Sequence, residues 1–272
     1  MILETPLMRM PALGLGTWPM KGADCRHAVE SALALGYRHI DTAEMYGNED
    51  AVGAALAGSA LPREEIFLTT KVWWDKPDEA SFHAAALRCL ERLRQPFVDL
   101  LLVHWPSPAM DLPGLLRALA RLRDGGQAKA VGVSNFPAGL LRQALALDIV
   151  PLACLQVEHH VMLDQSRLLE ITGPAGMVLT SYTPLGKGGV TEHPVIQTIA
   201  RRHGATGAQV ALAAILARGR VAAIPKAAGP ERQRENLGAL SLRLTAQDLH
   251  ELASLPGDRR FVNPDFAPDW AA

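Results

Sequence analysis

The sequence predicts a closed (β/α)8 barrel, and three observations lead there. Short apolar runs alternate with amphipathic segments eight times along the chain. Many of the runs, such as VDLLLV from Val98 to Val103, are apolar throughout, as expected of strands buried on both faces. Three successive runs end in titratable chemistry: Asp41 with Tyr46 just beyond it, then Lys71, then His104. In a barrel of parallel strands the C-terminal ends converge on one rim, so side chains distant in sequence meet there.

After a short N-terminal segment expected to cover one end of the barrel, residues 13–18 read as the first strand and 24–35 as the first helix. Asp24 is the expected N-cap and Gly36 the expected C-cap. Strand 38–42 leads to a helix around 49–56, strand 66–72 to a helix at 79–93, and strand 98–104 to a helix at 112–123. Next come strand 128–133 with helix 138–146, and strand 153–157 with helix 165–171. Strand 177–182 is followed by a longer insertion and a helix at 208–217, and strand 222–225 by a helix near 246–252.

The 272 residues suit such a barrel, which needs roughly 250. No linker or low-complexity tract divides the chain, so residues 1–272 are expected to form one barrel domain with a short C-terminal tail over the rim. Lys and Arg number 27 against 28 Asp and Glu, a balance that gives no reason to expect nucleic acid or an anionic membrane as partner. Cys25, Cys89 and Cys154 are far apart and form no CxxC pair, so neither a disulfide framework nor a thiolate metal site is expected. The first residues lack the basic-then-apolar pattern of a signal peptide and no apolar stretch is long enough to span a bilayer, so the expected compartment is the cytoplasm.

The centre of the pattern is GYRHIDTAEMYGNED, residues 36–50. Alone, Asp41 and Tyr46 read as a turn-capping carboxylate and a half-buried phenol. With Lys71 and His104 added, an acid, a phenol, an ammonium and an imidazole gather at one rim. GYRHIDTAEMYGNE, the TKVW at Thr70–Trp73, VHWP at Val103–Pro106, GVSNF at Gly132–Phe136 and IPK at Ile224–Lys226 resemble, in order, the signatures of the aldo-keto reductase family. HWPSP at His104–Pro108 and DRRFVNPDFAPDW at Asp258–Trp270 are similar to its bacterial branch of diketogluconate and methylglyoxal reductases.

The resemblance implies reduction of small aldehydes and ketones, with hydride from NADPH and a proton from Tyr46. Lys71 would lower the Tyr46 pKa, Asp41 would hold Lys71, and His104 would orient the carbonyl. Hydride requires a cofactor, and the chain has no GxGxxG, since GLGTWPMKG has the wrong spacing after Gly16. The resemblance therefore places the cofactor on the rim, with Gly16 and Thr17 beside it. Ser134, Asn135 and Gln156 would bond the nicotinamide carboxamide, Tyr182 would stack on its ring, and Pro184, Leu185 and Gly186 would pass the pyrophosphate. Lys226 and Arg232 would meet a 2'-phosphate, with Glu235 and Asn236 near the adenine. Two cations favour NADPH over NADH, although Ala227 stands where the family usually has a hydroxyl, which keeps NADH in play as the less favoured donor.

Trp18, Trp73 and Trp105, near strand ends, are the expected walls of the carbonyl pocket. His159 and His160, neighbours on a strand, point to opposite faces, and no metal is expected. Two other readings remain: a non-catalytic nicotinamide sensor of the same fold, and a phosphate-handling hydrolase or lyase on the same barrel. Nothing marks a pairing segment, and a monomer is expected.

Overall fold

The computed structural model describes all residues from 1 to 272. It opens with an antiparallel hairpin, β1 (Ile2–Glu4) and β2 (Arg9–Pro11), in which Leu3 faces Met10. Eight strands follow: β3 (Leu15–Gly16), β4 (His39–Asp41), β5 (Phe67–Val72), β6 (Val98–Val103), β7 (Ala128–Ser134), β8 (Cys154–Glu158), β9 (Val178–Tyr182) and β10 (Val221–Ala223). Each pairs in parallel with the next, in chain order. The ring closes where Leu13 bridges to Ala223 and Gly16 to Lys226. Gly14 N–H donates to Ala223 O at 2.9 Å and Gly16 N–H to Pro225 O at 3.1 Å. A Cβ on Gly16 would lie 2.6 Å from Ile224 O, so the seam closes only because this residue has no side chain.

The outer layer holds α1 (Gly22–Ala34), α2 (Glu49–Ala57), α3 (Glu79–Leu93), α4 (Leu112–Asp124), α5 (Ala138–Ala146), α6 (Ser166–Thr172), α7 (Pro194–His203), α8 (Gly207–Leu216), α9 (Pro230–Gly238) and α10 (Ala246–Ala253). The eight expected strands and helices are all present, with shifted ends. The first strand shrinks to two residues, because the chain there bends from the hairpin into the seam. Helix α1 begins at Gly22 after Lys21, so Asp24 lies in its first turn and is no cap; Gly36 follows the C-cap Leu35 with φ of 102°. Helix α7 lies inside the expected insertion, and α9, PERQRENLG, carries Arg232, Glu235 and Asn236.

Inside the barrel the polar residues form layers. Near the N-terminal ends of the strands His39 Nε2 lies 3.3 Å from Thr69 Oγ1 and His39 Nδ1 lies 3.3 Å from Pro11 O. Met10, fully buried, comes up from the hairpin beneath them, its sulfur 3.7 Å from Thr180 Oγ1. The expected cover over one end is thus a hairpin whose Met10 enters the interior. No helix is long and apolar enough to cross a membrane.

Candidate active site

At the other end of the strands, successive elements deliver one polar group each. Asp41 ends β4 and Lys71 sits next to last in β5. Both are buried, and Lys71 Nζ donates to Asp41 Oδ1 at 2.6 Å and to Thr42 O at 2.8 Å. Tyr46 arrives on a single turn of 3-10 helix, Glu44–Tyr46, which ends at Gly47 in the left-handed region. Its hydroxyl lies 3.3 Å from Lys71 Nζ. The turn is pinned by Asn48, which accepts from Thr42 Oγ1 at 2.7 Å and donates to Met20 O at 2.9 Å.

The far oxygen of Asp41 is also used: Gln156 Nε2, on β8 across the barrel, donates to Oδ2 at 2.8 Å. His104 follows β6 with its ring edge-on to Trp73 at 5.0 Å and 5.6 Å from the Tyr46 ring. Its Nδ1 is buried without a partner. Trp18 lies 5.1 Å from Tyr46, and Phe266 of the C-terminal tail stands 5.5 Å from Trp73, 5.5 Å from Trp74 and 5.4 Å from Trp105.

These groups open on a cavity of about 1180 Å³ that runs on to Lys226, Arg232, Glu235 and Asn236. Ordinary small-molecule sites span roughly 300–1,000 Å³, so the space exceeds what a small carbonyl compound needs and suits a dinucleotide beside it. Residues 12–256 match the model of the aldo/keto reductase family. The chain belongs to that family. An aldo-keto reductase of Mycobacterium sp. (strain JLS) is 38% identical over 258 residues, covering 94% of this chain and 92% of its own. Methylglyoxal reductase DkgB of Escherichia coli O157:H7 is 37% identical, over 97% of this chain and 100% of its own. A solved structure bearing the name 2,5-diketo-D-gluconic acid reductase B superposes with a TM-score of 0.92 at 40% identity, covering 96% of this chain and 94% of its own. Like other members, this aldo/keto reductase is an oxidoreductase that draws on a nicotinamide cofactor.

The cofactor candidates fall into two groups. Gly16, Thr17, Asn135, Gln156, Tyr182, Pro184, Leu185, Lys226, Arg232, Glu235 and Asn236 line the cavity; Ser134 and Gly186 do not. Gly186 has φ of 53°, and a Cβ there would sit 2.3 Å from Val190 Cγ2, so it shapes the loop from behind. Several polar groups of the first set are already engaged. Thr17 Oγ1 donates to Asp41 O at 2.9 Å. Asn135 Nδ2 donates to His104 O at 3.0 Å and to Ser134 Oγ at 3.1 Å, and Asn135 Oδ1 accepts from the Tyr182 hydroxyl at 2.7 Å. The Asn135 amide therefore has one acceptor lone pair left for a carboxamide and no free donor. Trp18, Trp73 and Trp105 all line the cavity.

Burial and charge set the protonation states. Burial pushes the Tyr46 phenol above its ordinary value, Lys71 pulls it down, and Asp41 pushes it up again. The ammonium acts in the direction expected from the sequence, but desolvation is the larger effect and the phenol stays protonated. Burial pulls Lys71 down, yet Asp41 and then Tyr46 hold it above its ordinary value, so it stays charged. Burial, then Lys71, keep His104 well below the usual imidazole range and neutral. The cysteines are buried thiols: burial pushes Cys25 up to about 11 and Cys154 up to about 12. His159 Nδ1 meets Ser181 Oγ at 2.9 Å, and His160 Nε2 meets Glu158 Oε1 at 3.2 Å, so the neighbouring rings serve separate partners.

Sequence reasoning missed Trp74, Phe261 and Phe266, together with Glu158 and Lys187. The aromatic residues of DRRFVNPDFAPDW were the available signal for the tail. Nothing in a stretch without periodicity says which of them turns inward.

Proposed function

We propose that this chain reduces small, uncharged aldehydes and ketones to alcohols with NADPH, Tyr46 giving the proton. The observation that carries the reading is the Tyr46 hydroxyl, protonated and 3.3 Å from the Lys71 ammonium on the wall of the long cavity. When bound, the reduced nicotinamide supplies the hydride, which no side chain can. His104 is neutral, and because its buried Nδ1 lacks an acceptor, its proton belongs on Nε2, facing the carbonyl oxygen. Tyr46 protonates that oxygen as the carbon accepts hydride. The phenolate left behind is met by Lys71, which Asp41 holds in place.

Gln156 gives its N–H to Asp41 and keeps its carbonyl oxygen for the carboxamide. Asn135 acts with it at the strand end, held by Ser134, Tyr182 stacks on the ring, and the loop of Pro184 and Leu185, shaped from behind by Gly186, passes the pyrophosphate. Helix α9 starts after Gly229 with no side-chain cap, which leaves first-turn N–H groups beside Lys226 and Arg232 for a phosphate. Glu235 and Asn236 take the adenine side. Ala227 is buried, so position 227 adds nothing to phosphate binding, and NADH remains the weaker alternative. The rim around His104 is aromatic, which suits methylglyoxal, the substrate of one named relative, better than a carboxylate-bearing sugar acid. Buried, unpaired cysteines agree with a reducing cytoplasm. A monomeric unit of barrel and tail completes the proposal.

The test is loss of reduced-nicotinamide absorbance, comparing NADPH with NADH and methylglyoxal with 2,5-diketogluconate and benzaldehyde. Turnover with NADPH that falls about 10²–10⁴-fold in Tyr46→Phe, with cofactor binding retained, is the expected result. Tight NADPH binding without turnover would favour the sensor reading.

A further inference from the structure

Glu158 takes no part in the proton relay, yet it is fully buried at the end of β8, two residues beyond Gln156 and in register with Tyr182. A carboxyl group taken out of water needs hydrogen-bond partners, and the barrel supplies few of them here, since β8 and β9 pair through their backbones. The partners come from the C-terminal tail. Oε1 accepts the N–H of Phe261 at 2.7 Å and Oε2 that of Val262 at 2.9 Å, while His160 Nε2 lies 3.2 Å from Oε1. The carbonyl of the same Phe261 accepts from Lys187 Nζ at 3.0 Å, so one tail residue is held at both its polar backbone atoms. Its ring packs on Gly186 and Gly189, where larger residues would collide with it or crowd it.

Five residues further on, Phe266 reaches Trp73, Trp74 and Trp105 and lines the cavity. Between the two points the tail has no helix or strand of its own, so its course depends on where it is gripped. We propose that Glu158 is a positioning residue for substrate selection: by gripping Phe261 and Val262 it sets where Phe266 closes the aromatic end of the cavity. The inference rests on the proposed use of that cavity for the carbonyl substrate.

Glu158→Gln keeps the shape but turns one acceptor into a donor facing a backbone N–H. In the full chain with NADPH, the expected result is a KM for benzaldehyde raised by about fivefold or more, with kcat and NADPH affinity near those of the parent. Phe266→Ala, a change on the tail that leaves the barrel untouched, should raise the same KM. The double variant should be no worse than the poorer single one, since both act through one contact. Hydrogen exchange at the Phe261 and Val262 amides, which needs no turnover, should accelerate in Glu158→Gln. If the parent reduces no carbonyl while exchange accelerates, the proposed reaction fails and the grip stands without its selective role. A melting temperature that drops with KM unchanged, additive losses in the double variant, or unchanged exchange would each overturn the proposal.

Discussion

The two ends of the barrel are built from the same strands and treat their buried polar groups in opposite ways. At the hairpin end His39 meets Pro11 O and Thr69 Oγ1, and Asp99 is shared between Arg63 at 2.8 Å and Lys129 at 3.0 Å, leaving Arg63 Nε as the one buried side-chain atom of that cluster without a partner. At the rim Lys71 and Asp41 are as deeply buried, but the Tyr46 hydroxyl and the His104 ring line the cavity, and His104 Nδ1 has no partner. A polar group satisfied inside the fold serves stability, whereas one held rigid with bonding capacity to spare can meet a ligand. The comparison teaches that burial alone does not mark the site, nor does a buried charge beside a cavity, since Asp99 and Lys129 line a smaller one of about 490 Å³ at the hairpin end; what marks it is a buried ion pair whose neighbours, a phenol and an imidazole, line the cavity of about 1180 Å³.

The sharpest way to break the contrast is Lys71→Met. It removes the only cation within bonding reach of the Tyr46 hydroxyl and leaves Asp41 bonded to Gln156 alone among side chains. Turnover should fall by about 10²–10⁴-fold, and stability by about 3–5 kcal/mol, because an unpaired carboxylate is left in the interior. Single-turnover rates and denaturant melts measure the two losses separately. A variant that lost stability but kept its rate would move Lys71 to the structural side of the comparison.

Met10→Ala is the counterpart at the closed end. Met10 is fully buried, and it does not line the cavity at the rim. A cavity costing about 2–5 kcal/mol is expected, with kcat/KM unchanged at a temperature where the variant is folded. A large loss of rate in the folded variant would show that the hairpin end tunes the rim.

The same contrast explains what the sequence disclosed. The barrel was legible because continuous apolar runs and amphipathic helices repeat, and the grouping of Asp41, Lys71 and His104 because each falls at the end of such a run, with Tyr46 one turn beyond the first. Helix α7 was hidden in an insertion where PVIQTIARRH follows loop residues with no strand to flank it. Gln156 was assigned a ligand contact by resemblance, but its bond to Asp41 joins strands 115 residues apart and no local pattern reports it. Asn135 and Thr17 likewise spend their polar atoms on the scaffold, because a loop that must hold a precise path near a cavity uses side chains to fix it. The tail was expected over the rim, but its course was not legible, because it depends on Glu158, which reads from sequence as one more charged residue near a strand end.

The smallest effect concerns acid. His39, His104 and His159 are buried and held below the ordinary imidazole value, His159 down to about 3, chiefly by desolvation. In the unfolded chain each takes up a proton near pH ~6.5. A lowered folded value therefore means that stability is full above the unfolded value and is lost as pH falls below it, continuing for His159 until about 3. Each such group adds a slope of up to about 1.4 kcal/mol per pH unit. His159→Asn retains a polar partner for Ser181 and removes one titration, so the fall in stability between pH ~6 and ~4 should be shallower by about that amount. The same substitution leaves the rim alone, and the pH dependence of turnover above pH ~6 should match the parent, which a parallel series of melts and rates would decide. If both profiles moved together, the pair of His159, just past β8, and Ser181 on β9 would belong with Tyr182 and the site, and the line between site and scaffold would have to be redrawn along those strands.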